Sequence, residues 1–124
     1  MMMRIVIAGG QAPSRSALRL FLHNGYDLEV VGEAADSEEL LAEVQSKDPN
    51  VVLLEWKLPG EPTVALLPVI RDLNSRLVVI VLSGRPELEQ SVLGAGADGF
   101  FNLGDPPIRL LATLQSIQRG VRPE

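Results

Sequence analysis

There is no cysteine in the 124 residues. This excludes disulfides, thiolate metal sites and thiol catalysis, and it fits the cytoplasm. Histidine occurs once, as His23 in a helical pattern, where a surface role is expected rather than a catalytic one. Positive charge is in the minority. Eleven Lys and Arg against sixteen Asp and Glu leave a net charge of −5, which argues against a nucleic-acid surface, because phosphates are held by clustered Lys and Arg. No apolar run approaches the roughly 20 residues of a membrane span. The opening Met1-Met2-Met3-Arg4-Ile5-Val6-Ile7 runs straight into a strand, so no signal peptide is expected. Internal repeats and low-complexity segments are also missing.

What is present is an ordinary soluble composition, 46 % hydrophobic and 22 % charged, in a length that suits one domain with a sizeable core. The most telling stretch is Val51-Val52-Leu53-Leu54-Glu55-Trp56-Lys57-Leu58-Pro59-Gly60. Its apolar run reads as a strand buried on both faces. The run stops abruptly on a carboxylate, and a Pro-Gly turn comes next.

Taken in order, Ile5 to Ala8 forms a first strand that stops at Gly9-Gly10. Pro13 and Ser14 open a helix carrying Leu18, Phe21 and Leu22 at helical spacing, with Gly25 expected as its left-handed cap. Leu28 to Ala34 is a second strand. Asp36 or Ser37 caps a second helix, whose buried face is Leu40, Leu41 and Val44. After the Glu55 strand, a third helix covers about Val64 to Leu73, with Pro68 expected to kink it or delay its start by a turn. Leu77 to Leu82 is the most apolar strand and belongs near the sheet centre. It ends at Ser83-Gly84, and Pro86 opens a fourth helix with Leu88 and Val92 on one face. Asp98 to Asn102 is a short fifth strand. Leu110, Leu111, Leu114 and Ile117 then mark the inner face of a final helix that Gly120 stops.

Strict strand–helix alternation with short loops predicts an α/β fold, a doubly wound five-stranded parallel sheet with five helices. Right-handed crossovers leave few topologies, and the flavodoxin-like order 2-1-3-4-5 is expected. Its ligand crevice lies at the carboxyl ends of strands one and three. Gly9, Gly10 and Glu55 should therefore meet, with Ser83 and Leu103 at the ends of the next two strands.

Five motifs in this order carry a resemblance. They are Ile7-Ala8, Val30-Val31-Gly32-Glu33-Ala34-Ala35-Asp36, Asp48-Pro49-Asn50-Val51-Val52-Leu53-Leu54, Leu58-Pro59-Gly60 and Gly94-Ala95-Gly96-Ala97-Asp98-Gly99-Phe100. Over nearly the whole chain the sequence resembles a receiver domain of the bacterial two-component response regulators, most closely the LuxR/NarL-type subfamily. The resemblance implies an acidic pair ending strand one, a phosphorylated Asp ending strand three, a Thr or Ser ending strand four, and a Lys ending strand five. An aromatic stands three residues before that Lys. At these positions the chain has Gly9 and Gly10, Glu55, Ser83, Leu103 and Phe100. Only the switch positions Ser83 and Phe100 keep the implied character.

Magnesium takes an octahedron of oxygens, with one or two carboxylates and the phosphate among them. Phosphoryl transfer depends on positioning and on cancelling charge in the transition state. Two glycines and a leucine supply neither ligand nor counter-charge, so no metal, cofactor or enzymatic activity is expected. Glu55 has two readings. One is a partly solvated carboxylate paired at most with Lys57, Arg15 or Arg85; the other is an imitation of phosphorylated Asp that holds Ser83. Alternatively Arg15 fills the cation site. Trp56 is either a contact residue or packs on its own domain. Ser83 has no histidine placed for nucleophilic work, so a hydrolase is not expected.

The leading expectation is a non-catalytic, phosphorylation-independent signalling module working through protein contacts. Its partners would be its own output domain, another regulator or a kinase. The family implies two dimer faces, helix 4–strand 5–helix 5 or helix 1–helix 5. Residues 1–120 would be the receiver-like domain and 121–124 the start of a linker to the rest of a transcription regulator. The alternative is a small anion or nucleotide bound at Gly9-Gly10, where free N–H groups precede a helix, although the pattern is neither G-x-G-x-x-G nor a P-loop. A phosphoacceptor receiver is the remaining possibility.

Overall fold

The computed structural model describes residues 2–120. The linker expected at 121–124 lies outside the described residues. Strands β1 (Met3–Ala8), β2 (Leu28–Ala34), β3 (Val51–Glu55), β4 (Val78–Ser83) and β5 (Gly99–Asn102) alternate with helices α1 (Ala12–Leu22), α2 (Ser37–Lys47), α3 (Thr63–Leu73), α4 (Glu89–Gly94) and α5 (Ile108–Gln118). All pairings are parallel, and the sheet order is β2-β1-β3-β4-β5, as expected. β3 is central, so its four apolar residues are all buried, and Glu55 is the first side chain to emerge from the core.

Alternation splits the core in two. Val6, Ala8, Val52, Leu54, Val79 and Val81 point to the side covered by α2, α3 and α4. Ile5, Ile7, Val51, Leu53, Ile80 and Leu82 point to the side covered by α1 and α5.

One break in this alternation positions the site. The β1–β2 register runs Ile5 to Val30 and then Val6 to Gly32, so β2 carries one extra residue at Val31. Such a bulge inverts the facing of everything beyond it. Glu33, which strict alternation would send toward α2, pairs in register with Ile7 and reaches α1.

Several helix ends have their cause in local chemistry. Asp36 caps α2 by accepting the Glu39 N–H at 2.8 Å, and Glu39 reaches back to the Ala35 N–H at 2.8 Å, a reciprocal capping arrangement. Gly25 does not adopt the left-handed conformation expected of it; Asp27, two residues on, does, with φ 59°, as does Asp48 at the end of α2, with φ 48°. The physical reason for glycine there is space, because a Cβ would run into Leu28 and Leu111. Pro68 does not delay α3, which begins at Thr63. Pro68 itself lies on the exposed side of the helix. Pro86 opens a single 3₁₀ turn, Pro86–Leu88, that leads into a short α4.

Candidate functional site

The crevice at the carboxyl ends of β1 and β3 brings Gly9, Gly10 and Glu55 together. Glu55 fills the space above Gly9: a Cβ on Gly9 would stand 2.6 Å from its carboxyl carbon and 2.6 Å from Oε1. Gly10 closes against the Pro59 ring in the same way, at 3.0 Å. Glycine at both positions therefore makes room for the β3 carboxylate and for the turn after it.

Arg15 enters from the first turns of α1. Its Nη1 donates to the Gly9 carbonyl at 2.5 Å and its Nε to Glu33 Oε1 at 2.9 Å. Arg19, one turn on and on the same helix face, donates to Glu33 Oε2 at 2.8 Å. Each oxygen of Glu33 thus has its own guanidinium. This clamp ties α1 to the bulged end of β2 and holds a positive charge at the rim of the crevice.

The two carboxylates are shifted in opposite directions. Partial burial pushes Glu55 above the usual range, only partly offset by the Gly10 N–H and the charge of Arg15. Burial acts the same way on Glu33, but the hydrogen bonds and charges of Arg15 and Arg19 outweigh it and hold Glu33 below the usual range. A depressed carboxyl stabilises the fold above its unfolded value and loses that contribution as pH falls through its folded value. Glu33→Gln is therefore expected to cost about 1 kcal/mol near neutrality. The gap to wild type in urea midpoint should close below about pH 4, the unperturbed range of Glu. Glu55 has the opposite sign: its penalty is present at neutral pH and is relieved as pH falls through its raised value.

None of the ion pairs among the described residues involves Glu55. Of its expected partners, Arg15 binds Glu33 and Arg85 binds Glu87 at 3.0 Å. Ser83 ends β4 nearly buried, at 6 % exposure, and its Oγ accepts the Arg85 N–H at 3.1 Å, closing its own loop. Leu103, one residue past β5, is 51 % exposed and offers only its backbone N–H, which donates to the Ser83 carbonyl at 2.9 Å. Phe100 is half-buried and packs on the core facing α2, α3 and α4. Trp56 packs on the same core, and its carbonyl accepts the Thr63 hydroxyl at 3.0 Å, so its body serves the domain itself. His23 is exposed. Glu33 and Arg19 went unnoticed as site residues in the sequence. The i, i+4 arginine pair of α1 was the available signal, but strict strand alternation points Glu33 the other way.

No helix among the described residues is long and apolar enough to cross a membrane. A cavity of about 730 Å³ lies at the opposite end of the sheet from Glu55, between Met2, Asn50, Asn74 and Gln118.

Comparison with known proteins agrees with this architecture. A two-component response regulator of the LuxR family from Aurantimonas sp. SI85-9A1 superposes with a TM-score of 0.90 at 21 % identity, covering 100 % of this chain and 90 % of that one. The isolated receiver domain of RcsB from Salmonella enterica serovar Typhimurium gives 0.89 at 24 % identity, covering 100 % and 94 %. In sequence, the nitrate/nitrite response regulator protein NarL of Escherichia coli K12 is 31 % identical over 108 residues, 86 % of this chain and 50 % of NarL. The transcriptional regulatory protein DesR of Bacillus subtilis is 25 % identical over 121 residues, 98 % of this chain and 61 % of DesR. The chain thus spans about half to three-fifths of the length of these curated relatives. The family description "response regulator receiver domain" matches residues 5–114, and with the sheet order and these relatives in hand, the chain belongs to the receiver domains of two-component response regulators.

Proposed function

We propose that this receiver signals through protein–protein contacts without phosphorylation of an aspartate. In this reading Glu55 stands at the phosphoacceptor position, Gly9 and Gly10 at the acidic pair, and Leu103 at the lysine. Ser83 and Phe100 remain as switch positions. The observation that carries the reading is the Glu55 carboxylate lying over Gly9, where a receiver's acidic side chain would begin.

The residues present do not fit a bound magnesium ion. Hard divalent cations want several oxygen ligands. Here Glu55 is the one carboxylate over the glycines, and the Gly9 carbonyl already accepts Arg15. A guanidinium at the rim supplies positive charge without a metal and repels one. The same arrangement weakens the anion or nucleotide alternative, since Glu55 already draws on the Gly10 N–H and puts negative charge in the crevice.

Receiver domains in general are signalling modules rather than enzymes. The partners proposed are the chain's own output domain, another regulator or a kinase. Contacts would run through α4–β5–α5 or α1–α5, in a domain of residues 1–120 that continues into a linker. A net charge of −5 argues against DNA contact by this domain itself.

Intact-mass spectrometry after incubation with magnesium and acetyl phosphate tests the reading. Wild type should gain no phosphoryl group. Glu55→Asp alone should also gain none, because Gly9, Gly10 and Leu103 still lack ligands and counter-charge. A metal-dependent adduct on the wild type refutes the proposal.

A further inference from the structure

Two carboxylates neighbour Arg15, and positive charge is shared unevenly between them. Glu33 has two guanidiniums, Arg15 Nε at 2.9 Å and Arg19 Nε at 2.8 Å. Glu55 has none among the described ion pairs, although it is partly buried and feels the charge of Arg15. Of the two arginines Arg15 is the deeper, its side chain 15 % exposed against 38 % for Arg19. Its Nη1 donates to the Gly9 carbonyl. The Glu55 carboxyl is packed over the same residue, 2.6 Å from where a Gly9 Cβ would stand. One glycine thus has the guanidinium on its carbonyl and the unpaired carboxylate against its α-carbon.

We infer that Arg15 is a two-position arginine, turning about the Gly9 carbonyl between Glu33, where this structure has it, and Glu55. Neither position strips a carboxylate of all its partners. With Arg15 on Glu33, Glu55 keeps the Gly10 N–H. With Arg15 on Glu55, Glu33 keeps Arg19. A guanidinium has five N–H donors and stays charged throughout, so it can hold the Gly9 carbonyl while Nε changes acceptor. The second arginine lowers the cost of the exchange, because removing the sole counter-charge of a buried carboxylate is strongly unfavourable. Glu55 itself supplies the bias. Ionised, it attracts the guanidinium; neutral, it leaves Arg15 to Glu33. In the first position α1 is tied to β2, and in the second to β3. The seating of α1 therefore reports the charge in the crevice.

Among the described residues Arg15 is the one charge acting on Glu55. β1 ends in Gly9 and Gly10. β4 ends in Ser83, whose Oγ accepts the Arg85 N–H, while the Arg85 guanidinium pairs with Glu87. The start of α2 meets the loop after β3 through Ser37 and Pro59, and its Asp36 accepts the Glu39 N–H. Along that loop Lys57 and Glu61 are exposed. The loop after β5 offers Leu103, with Asp105 paired to Arg109 at 3.9 Å. The exchange uses only groups already present and stands whether or not Glu55 can accept a phosphoryl group.

Titration of carbon-13-labelled glutamate carboxyls in the chain tests the exchange, with Glu55 assigned by its loss in Glu55→Gln. Glu33→Gln frees Arg15 for Glu55 and should lower the Glu55 midpoint by about one unit, as an adjacent opposite charge does. Arg15→Gln should raise that midpoint above the wild-type value. With Arg15→Gln already in place, Glu33→Gln should leave it unmoved. Arg19→Gln, at the more exposed arginine, is a second test of opposite sign: it leaves Arg15 as the only cation on Glu33 and should raise the Glu55 midpoint. In the wild type the Arg15 Nε resonance should shift with Glu55, and in Glu55→Gln that shift should be missing. The inference is overturned if Glu33→Gln fails to lower the Glu55 midpoint, or if Arg15→Gln or Arg19→Gln fails to raise it. An equal fall with Arg15 already replaced would assign the effect to the field of Glu33 and overturn it too. So would an Arg15 signal indifferent to Glu55.

Discussion

Asp98→Ala is expected to lower the stability of this domain by about 3 kcal/mol, a larger effect than Glu33→Gln should have. Asp98 precedes β5 and is 14 % exposed as a side chain. Its Oδ2 accepts the N–H of Val79, a fully buried residue of β4, at 2.8 Å, and also pairs with Arg71. Arg71 leaves α3 to donate in addition to the carbonyls of Leu77 and, at 3.1 Å, of Gly96. One carboxylate and one guanidinium thus join α3, the start of β4 and the loop into β5. Truncating Asp98 takes the counter-charge from Arg71 and leaves the buried Val79 N–H without its acceptor, and that penalty, rather than the lost attraction, dominates the cost. Asp98→Asn keeps an acceptor for Val79 and should cost about half as much. Urea unfolding measures both through the midpoint, with the slope unchanged. Arg71→Ala combined with Asp98→Ala should cost clearly less than the two separate losses added, since each single change takes the same charge-assisted contact from the other partner. Additive losses would mean the pair is not a unit.

The second large effect concerns rebuilding the crevice. Gly9→Asp, which puts an acid where the proposed reading places a receiver's acidic pair, should destabilise the wild type by about 2–3 kcal/mol. The new Cβ needs the space held by the Glu55 carboxyl. Displacing Glu55 also removes it from the Gly10 N–H, and a second carboxylate then sits beside one whose ionisation burial already opposes. In a Glu55→Ala background the same substitution should cost less than about 1 kcal/mol, a coupling of about 1–2 kcal/mol between neighbours. Four urea curves close this cycle. Equal costs in both backgrounds would show that Glu55 yields freely, and the crevice would then tolerate an acid after all. The expected coupling has a corollary for the proposed function. Because the Glu55 carboxyl holds the space of a side chain at position 9, an acid is not expected to return there without position 55 changing too.

Much of the fold was legible from residues alone. Buried parallel strands read as continuous apolar runs, so β3 and β4 announced themselves, and alternation with helices left few sheet orders, of which 2-1-3-4-5 was expected. That order dictates the strand-end positions, which is why Gly9, Gly10, Glu55 and Ser83 could be placed in one crevice in advance. Local chemistry also carried the Asp36 cap. Where packing rather than pattern decided, the reading fell short. Gly25 looked like a left-handed cap but is small because Leu28 and Leu111 crowd it. Pro68 was expected to kink α3 or delay its start; the delay does not occur, because burial of Thr63, Leu66 and Leu67 holds the first turns in place around it.

The sequence by itself determined which side chains this receiver has at its crevice, Gly9, Gly10, Glu55, Ser83 and Leu103. What surrounds them was decided only by tertiary structure. A single extra residue in β2 turns Glu33 to the α1 side, Glu33 fixes Arg15 and Arg19, and Arg15 sets a positive charge on the Gly9 carbonyl. Periodicity cannot reveal a bulge, because the extra residue changes no composition and only inverts the facing of the strand residues beyond it.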